Sequence, residues 1–447
     1  MILSIYLVAL LGAINSATTV VHQAWQVPGK TQVSANAFPR SQPNIVLIIG
    51  DDMGVDMVSA YGEGTAPPCT LNIDRLAAEG MLFRNAWASP TCSPTRAALL
   101  TGRYGFRTGI GQPEGNVALD LAETTIPEML MGYESRCVGK WHLNGNGSGG
   151  LLHPNLSGFN DYKGSIGGGI PSYTMWPKVN NGSSGFTNVY ATRDTAEDAI
   201  AAIPQMQEPW LLYVSFNAPH TPLHEPPTFL CETSGCAQSW CGSLGANPSN
   251  SDLAKAMVEA MDAEIGRVLQ EVDSFDPEAL VVFVGDNGTA GMVSELPFTR
   301  MHGKGTMYEG GLNVPLIVRG PGVRRAECDA LVSVVDLFET FGELSSQIVL
   351  PSDSVSLVPY FSNPTQSIRN TVYSEKFSPN GPGPYTTHER AIRNDRYKLI
   401  RRLGQSDELF DLLLDPFETS NLLPNLSASE QVAFDALVVE LVLLGVG

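Results

Sequence analysis

The sequence predicts an α/β protein, an open α/β/α sandwich around a mostly parallel central sheet, with a small antiparallel sheet after it. Three observations carry that expectation. Residues 44–49 and 280–284 are short, continuously apolar runs, the pattern of strands covered on both faces. Stretches with helical spacing alternate with such runs over most of the chain, as a parallel sheet requires. Beyond residue 351 the apolar patterns shorten, which fits a small antiparallel sheet.

In chain order, the first strand covers 44–49 and ends at Gly50. Residues 73–79 have helical spacing, a second helix starts near Pro94, and a third covers about 193–203. A strand at 210–216 precedes a long amphipathic helix at 251–272, and strands follow at 280–284, ending at Gly285, and at 314–318. The stretch 145–185 is rich in Gly, Ser and Asn and reads as loops over one rim. Residues 371–374, 391–393 and 397–400 are the expected strands of the second sheet, and 429–444 the closing helix. The expected division is a large α/β domain over 43–350 and a small α+β one over 351–447.

Composition narrows the function. Of 447 residues 43% are apolar, enough for a sizeable core and too many for a disordered chain. Lys and Arg number 27 against 46 Asp and Glu, a net charge of −19. Such a surface repels phosphate backbones, which excludes non-specific nucleic-acid binding. It also repels an anionic substrate unless some pocket reverses the sign locally.

Residues 2–14 (ILSIYLVALLGAI), followed by Ser16 and Ala17, have the apolar region and cleavage zone of a signal peptide over 1–17. No Lys or Arg precedes the run, so a buried first strand or a signal anchor is the alternative reading. Secretion or lumenal delivery (extracellular, periplasmic or lysosome-like) is expected, with no stable membrane span. Cys231, Cys236 and Cys241 recur at intervals wider than the paired spacing of zinc sites, so the seven cysteines fit an oxidising route with disulfides of unknown connectivity better than a metal cluster. Glycosylation sequons occur at Asn146, Asn155, Asn181, Asn287 and Asn425.

Two strand ends offer hard oxygen donors. Asp51 and Asp52 follow one apolar strand directly, and Asp286 and Asn287 follow another. Carboxyl ends of parallel strands form the ligand crevice of such sheets, and three carboxylates with an amide suit Ca²⁺ or Mg²⁺ rather than zinc. Asx turns at two unrelated strand ends would look the same. The segment 91–104 (TCSPTRAALLTGRY) places Cys92 at the start of a helix with Pro94 in its first turn, where free N–H groups favour an anion. Arg96 lies one helical turn after Cys92. A low-pKa thiolate nucleophile and a structural half-cystine both fit this pattern.

Beyond that, Cys92-Ser93-Pro94-Thr95-Arg96, extended by Leu99-Leu100-Thr101-Gly102-Arg103, resembles the Cys-x-Pro-x-Arg signature of the type I sulfatases of the alkaline-phosphatase-like superfamily. Segments 44–54, 71–110, 139–143, 216–222, 285–288, 303–315 and 408–422 are similar to that family in the same order, from about residue 43 to 425. The resemblance implies that Cys92 is oxidised to Cα-formylglycine by formylglycine-generating machinery. It implies one Ca²⁺ held by Asp51, Asp52, Asp286, Asn287 and the modified Cys92. The hydrated aldehyde would attack sulfur and give a covalent sulfoenzyme, from which sulfate leaves as the aldehyde reforms.

The same resemblance assigns roles. Arg96 would orient the hydrate, and Lys140 and Lys304 would grip sulfate oxygens. His142 would act as base on the hydrate, and His220 as acid near the leaving oxygen. His153 is a candidate pocket residue, whereas His224 and His302 read as structural. The substrate expected is a sulfated small molecule or carbohydrate. A phosphonate or phosphate ester hydrolase of the same superfamily is the nearest rival, and a catalytically silent binding homologue is another. Two-metal members place Asp-His at the strand end where this chain has Asp286-Asn287, which argues against a dizinc phosphatase.

Overall fold

The computed structural model describes residues 42–114, 118–145, 148–231, 236, 238–349 and 353–446. The signal-peptide residues 1–17, the sequon at Asn146 and the expected division at 350/351 lie outside them. The described residues open with β1 (Ile45–Gly50), α1 (Leu71–Glu79), β2 (Met81–Trp87) and α2 (Cys92–Thr101). It continues through β3 (Glu134–Gly139), β4 (Asp161–Gly164), β5 (Trp176–Asn180), β6 (Ser183–Thr187), α3 (Ala191–Ala202) and β7 (Trp210–Ser215). Then follow α4 (Asn250–Phe275), β8 (Leu280–Gly285), β9 (Leu316–Arg319), β10 (Ala326–Ser333) and α5 (Asp336–Leu344). The second sheet is β11 (Val372–Ser378), β12 (Thr387–Arg393), β13 (Tyr397–Arg402) and β14 (Glu408–Asp411), closed by α6 (Ala428–Leu444).

Among the described residues ten strands form one mixed sheet in the order β10-β2-β9-β8-β1-β7-β3-β4-β5-β6, parallel from β8 through β4. Alternate residues of β1 enter two separate cores. Val46 and Ile48 pack with α3 and α4, and Ile45, Leu47 and Ile49 pack with α2 and α5. This two-sided cover is why β1 is apolar at every position rather than at every second one. The helix α4 is anchored by a capping box in which Ser249 accepts from the Asp252 amide and Asp252 returns the bond.

The stretch 145–185 departs from the expected run of loops. It holds β4 and most of a hairpin in which Asn180 pairs with Ser183 across Asn181-Gly182, both at positive φ. Asn-Gly is the favoured pair for so tight a turn, and the hairpin sits at the sheet edge, where its polar residues stay wet. The cysteines form Cys69–Cys236 and Cys231–Cys241 bridges, and Cys92, Cys137 and Cys328 are free and buried. Among the described residues no helix is long and apolar enough to cross a membrane.

Candidate active site

Four neighbouring parallel strands deliver the site. Gly50 of β1 stands opposite Gly285 of β8, so Asp51-Asp52 and Asp286-Asn287 leave the sheet side by side. On the other flank of β1, β7 ends at Ser215 and leads to Asn217 and His220, and β3 ends at Gly139 and leads to Lys140 and His142. The helix α2 approaches from one face and brings Cys92 and Arg96 to the same crevice. Gly139 is required where it stands. Its φ is +93°, and a Cβ there would lie 1.9 Å from the Ser215 carbonyl oxygen.

Three carboxylates and three cations pair one to one. Lys140 Nζ lies 2.6 Å from Asp51 Oδ2, with both side chains fully buried. Arg96, fully buried, donates through Nε and Nη2 to Asp286 Oδ2 at 3.0 and 2.7 Å. Its remaining Nη1 donates to the Lys140 carbonyl at 3.1 Å and to Ser215 Oγ at 2.6 Å. Lys304 donates to Asp52 Oδ1, as does Asn287 Nδ2 at 2.9 Å. Asp52 holds a φ of +65°, which turns its amide onto Asp286 Oδ1 at 3.1 Å.

These pairs set the protonation states. Burial opposes ionisation of Asp52, but Lys304, His220 and Lys140 outweigh it and lower its pKa to about 2. At Asp51 burial prevails over Lys140 and raises the pKa to about 6. Burial and the adjacent Lys140 and Arg96 push the His142 pKa far down, so its imidazole is neutral. Lys304 is partly buried, yet Asp52 holds its pKa above the ordinary lysine value.

Cys92 Sγ lies 3.2 Å from His142 Nδ1. The thiol forms no disulfide and is buried, which rules out the half-cystine alternative, and burial raises its pKa, which disfavours a thiolate. Ser93 Oγ donates to the His142 carbonyl at 3.1 Å, and His142 takes a φ of +60°. Those contacts turn the imidazole back toward residue 92.

Oxygen atoms are also left open for a cation. Asp51, Cys92 and Asp286 each offer an atom within 4.8 Å of the others. Asp51 Oδ1 and Asn287 Oδ1 are buried without a hydrogen-bond partner. Orphaned buried oxygens are uncommon in folded chains and fit a hard divalent cation. With the three ion pairs neutral, such an ion would leave an excess of two positive charges, which reverses locally the sign of the acidic surface.

His220 stands at the mouth, its side chain 22% exposed, with Nε2 4.0 Å from Asp52 Oδ2. For His153 the structure favours the structural reading over the pocket one. His153 is wholly buried, accepts from Trp141 Nε1 at 3.2 Å and meets the Leu119 carbonyl at 2.9 Å, so it supports the fold rather than lining a pocket. His224 packs on Tyr173 and Tyr190, and His302 stacks on Tyr308, both structural as expected.

Ser215 and Asn217 carry no role in the sequence reading, and the loop 164–169 belongs to the stretch read there only as rim loops. Ser165 Oγ donates to Asn217 Oδ1 at 3.0 Å, and a Cβ on Gly168 would lie 2.3 Å from the His142 ring. The glycine-rich loop therefore roofs the two histidines at backbone distance. Its composition was the available signal.

Residues 43–347 match the family model described as Sulfatase. The chain belongs to the sulfatase family. It is a sulfuric ester hydrolase, like its named relatives. A second model, described as N-sulphoglucosamine sulphohydrolase, C-terminal, matches residues 299–439. Arylsulfatase G of Rattus norvegicus is 30% identical, over 89% of this chain and 81% of its own. N-acetylgalactosamine-6-sulfatase of Homo sapiens is 32% identical, over 70% of this chain and 63% of its own. Among solved structures, BT1596, a 2-O GAG sulfatase, is 26% identical with a TM-score of 0.67, covering 89% of this chain and 91% of its own. Ps i-CgsB, solved in complex with k-i-k-neocarrahexaose, shares the fold at a TM-score of 0.74 and 24% identity, covering 90% of this chain and 92% of its own.

Proposed function

We propose that this sulfatase hydrolyses sulfate esters of carbohydrates through a formylglycine at position 92 and one Ca²⁺, in an oxidising compartment outside the cytosol. The observation that carries the reading is the unpaired, buried Cys92 at the first turn of α2, 3.2 Å from a neutral His142 and close to Asp51 and Asp286. Hydrated formylglycine at residue 92 would supply the hydroxyl that attacks sulfur, and Ca²⁺ held by Asp51, Asp52, Asp286, Asn287 and residue 92 would neutralise sulfate oxygens.

The remaining work falls to side chains already in place. His142 Nδ1, kept neutral, accepts a proton from residue 92. Arg96 fixes Asp286 and the Lys140 carbonyl, so neither can turn away when substrate enters. Lys140 and Lys304 supply positive charge where negative charge grows on oxygen. His220, partly exposed and beside Asp52, delivers a proton to the leaving oxygen at the mouth. The loop 164–169 covers one side of the His142 ring at backbone distance, where it limits the access of water. The carbohydrate class draws on the relatives named for N-acetylgalactosamine 6-sulfate and for glycosaminoglycans. The two disulfides support an oxidising route.

Kinetics on paired esters test the assignment. The expected result is a kcat/KM for 4-nitrophenyl sulfate well above that for 4-nitrophenyl phenylphosphonate or 4-nitrophenyl phosphate. A preference for the phosphonate would move the chain to the rival hydrolase class.

A further inference from the structure

One charged network lies outside the crevice and has no part in the chemistry described so far. It joins the second sheet to the segment that carries Lys304. Lys304 N donates to the Thr289 carbonyl at 2.9 Å, and Gly305 N donates to the Pro90 carbonyl at 2.7 Å. From there to residue 309, every strand of the second sheet places a charged side chain on the segment. Lys376 of β11 donates through Nζ to the Gly305 carbonyl at 3.0 Å. Arg393 of β12 and Lys398 of β13 donate to the two Glu309 oxygens, each at 3.0 Å. Glu408 of β14 accepts from the Tyr308 hydroxyl at 3.1 and 3.2 Å. Glu418 accepts from the Glu309 amide at 2.6 Å and pairs with Lys398 Nζ at 2.7 Å.

Glu309, Lys398, Arg393 and Glu418 are buried together, with Trp87 Nε1 donating to Glu309 at 3.3 Å. Such a cluster is a poor way to gain stability, because desolvating four charges offsets most of their attraction. What it does supply is a fixed geometry, since each oxygen and nitrogen accepts only one arrangement of partners. The segment so fixed begins one residue after Lys304, and Gly305, at φ +87°, would otherwise be a natural hinge.

We propose that the second sheet is a positioning device for Lys304, with Lys376 and Tyr308 as its nearest positioning residues. This rests on the reading of Lys304 as a cation facing the sulfate and leaving oxygens. A misplaced cation matters most where most charge develops, which is on the oxygen of a poor leaving group. The test compares phenyl sulfate with 4-nitrophenyl sulfate as substrates of the full-length, metal-loaded enzyme and its variants. Lys376→Met should lower kcat on phenyl sulfate about tenfold, the order expected for a sub-ångström shift of a catalytic group. The loss on 4-nitrophenyl sulfate should be clearly smaller, with KM nearly unchanged, and Lys376→Arg should restore both.

Lys376 is 31% exposed, so its removal leaves the fold intact. Tyr308→Phe, which deletes only a hydroxyl, should reproduce the pattern. Lys304→Met is the reference. If Lys304→Met shows the leaving-group dependence and the Lys376 and Tyr308 variants lose activity equally on both substrates, or not at all, the proposal is overturned while the role of Lys304 stands. If Lys304→Met itself shows no such dependence, the reading of Lys304 fails and the proposal fails with it.

Discussion

Replacing Arg96 by lysine isolates geometry from charge at the centre of the site. The guanidinium is fully buried and makes four hydrogen bonds, two to Asp286, one to the Lys140 carbonyl and one to Ser215. Its pKa is pushed above even the ordinary arginine value: burial opposes the charge, and Asp286 outweighs it. Lysine keeps a positive charge but presents a single nitrogen that cannot fork across Asp286 and reach the other two acceptors. Hydrogen bonds to charged groups contribute about 1.5–3 kcal/mol each, and an ammonium recovers one or two of the four. The net loss expected is therefore at least about 3 kcal/mol, the low end of the roughly 3–5 kcal/mol for removing one partner of a buried pair. Urea unfolding followed by circular dichroism reads this as a lower midpoint at unchanged slope. Turnover of an aryl sulfate should fall as well, because Asp286 and the Lys140 carbonyl lose their common anchor. A stability loss under about 1 kcal/mol with activity retained would refute the reasoning, since Arg96 would then be one cation among several.

Other substitutions and conditions test separate parts of the account. Asp262 and Glu418 are carboxyls that burial pushes up to about 7, at Glu418 against the pull of Lys398 and at Asp262 against hydrogen bonds from the Asn72 and Ile73 amides. Between the ordinary carboxylate range and that upper limit the folded chain holds protons that the unfolded chain releases. Their contribution to stability is thus complete at low pH and is lost as pH rises through about 7. The urea midpoint should decline from about pH 5 to about pH 8 and decline less in Asp262→Asn, whereas a steady rise would contradict the assignment. Gly168→Ala puts a Cβ where only 2.3 Å separates it from the His142 ring, so kcat should fall by about tenfold or more with the fold preserved. Wild-type turnover in Gly168→Ala would show that the loop does not roof the histidine.

How much of this was legible beforehand depends on the range of each interaction. Cys92, Pro94 and Arg96 lie within five residues, so their pattern could be read directly. The strand ends at Asp51-Asp52 and Asp286-Asn287 were legible one at a time. Their convergence depends on β1 pairing with β8 across more than 200 residues, and no local pattern encodes that. Ser215, Asn217 and Gly168 escaped notice for a related reason, since each matters only through a neighbour from another strand or loop. The edge hairpin was hidden by composition. Ser183, Ser184 and Gly185 look like loop, although Asn181-Gly182 is a hairpin turn signal. Strand β2 was missed because Arg84 and Asn85 interrupt its apolar run, and both carry their polar ends to partners outside the core. His153 stayed open between two readings because a histidine satisfied by Trp141 and a main-chain carbonyl is indistinguishable, in sequence, from one facing a ligand.

The central claim is that residue 92 acts as formylglycine rather than as a thiol. Mass spectrometry of the peptide 85–96 from active enzyme tests it most directly, alongside turnover of Cys92→Ala. The account predicts a peptide mass corresponding to the aldehyde or its hydrate, in proportion to specific activity, and a folded Cys92→Ala protein without turnover. Fully active enzyme carrying only intact cysteine at position 92, or turnover retained in Cys92→Ala, would contradict it.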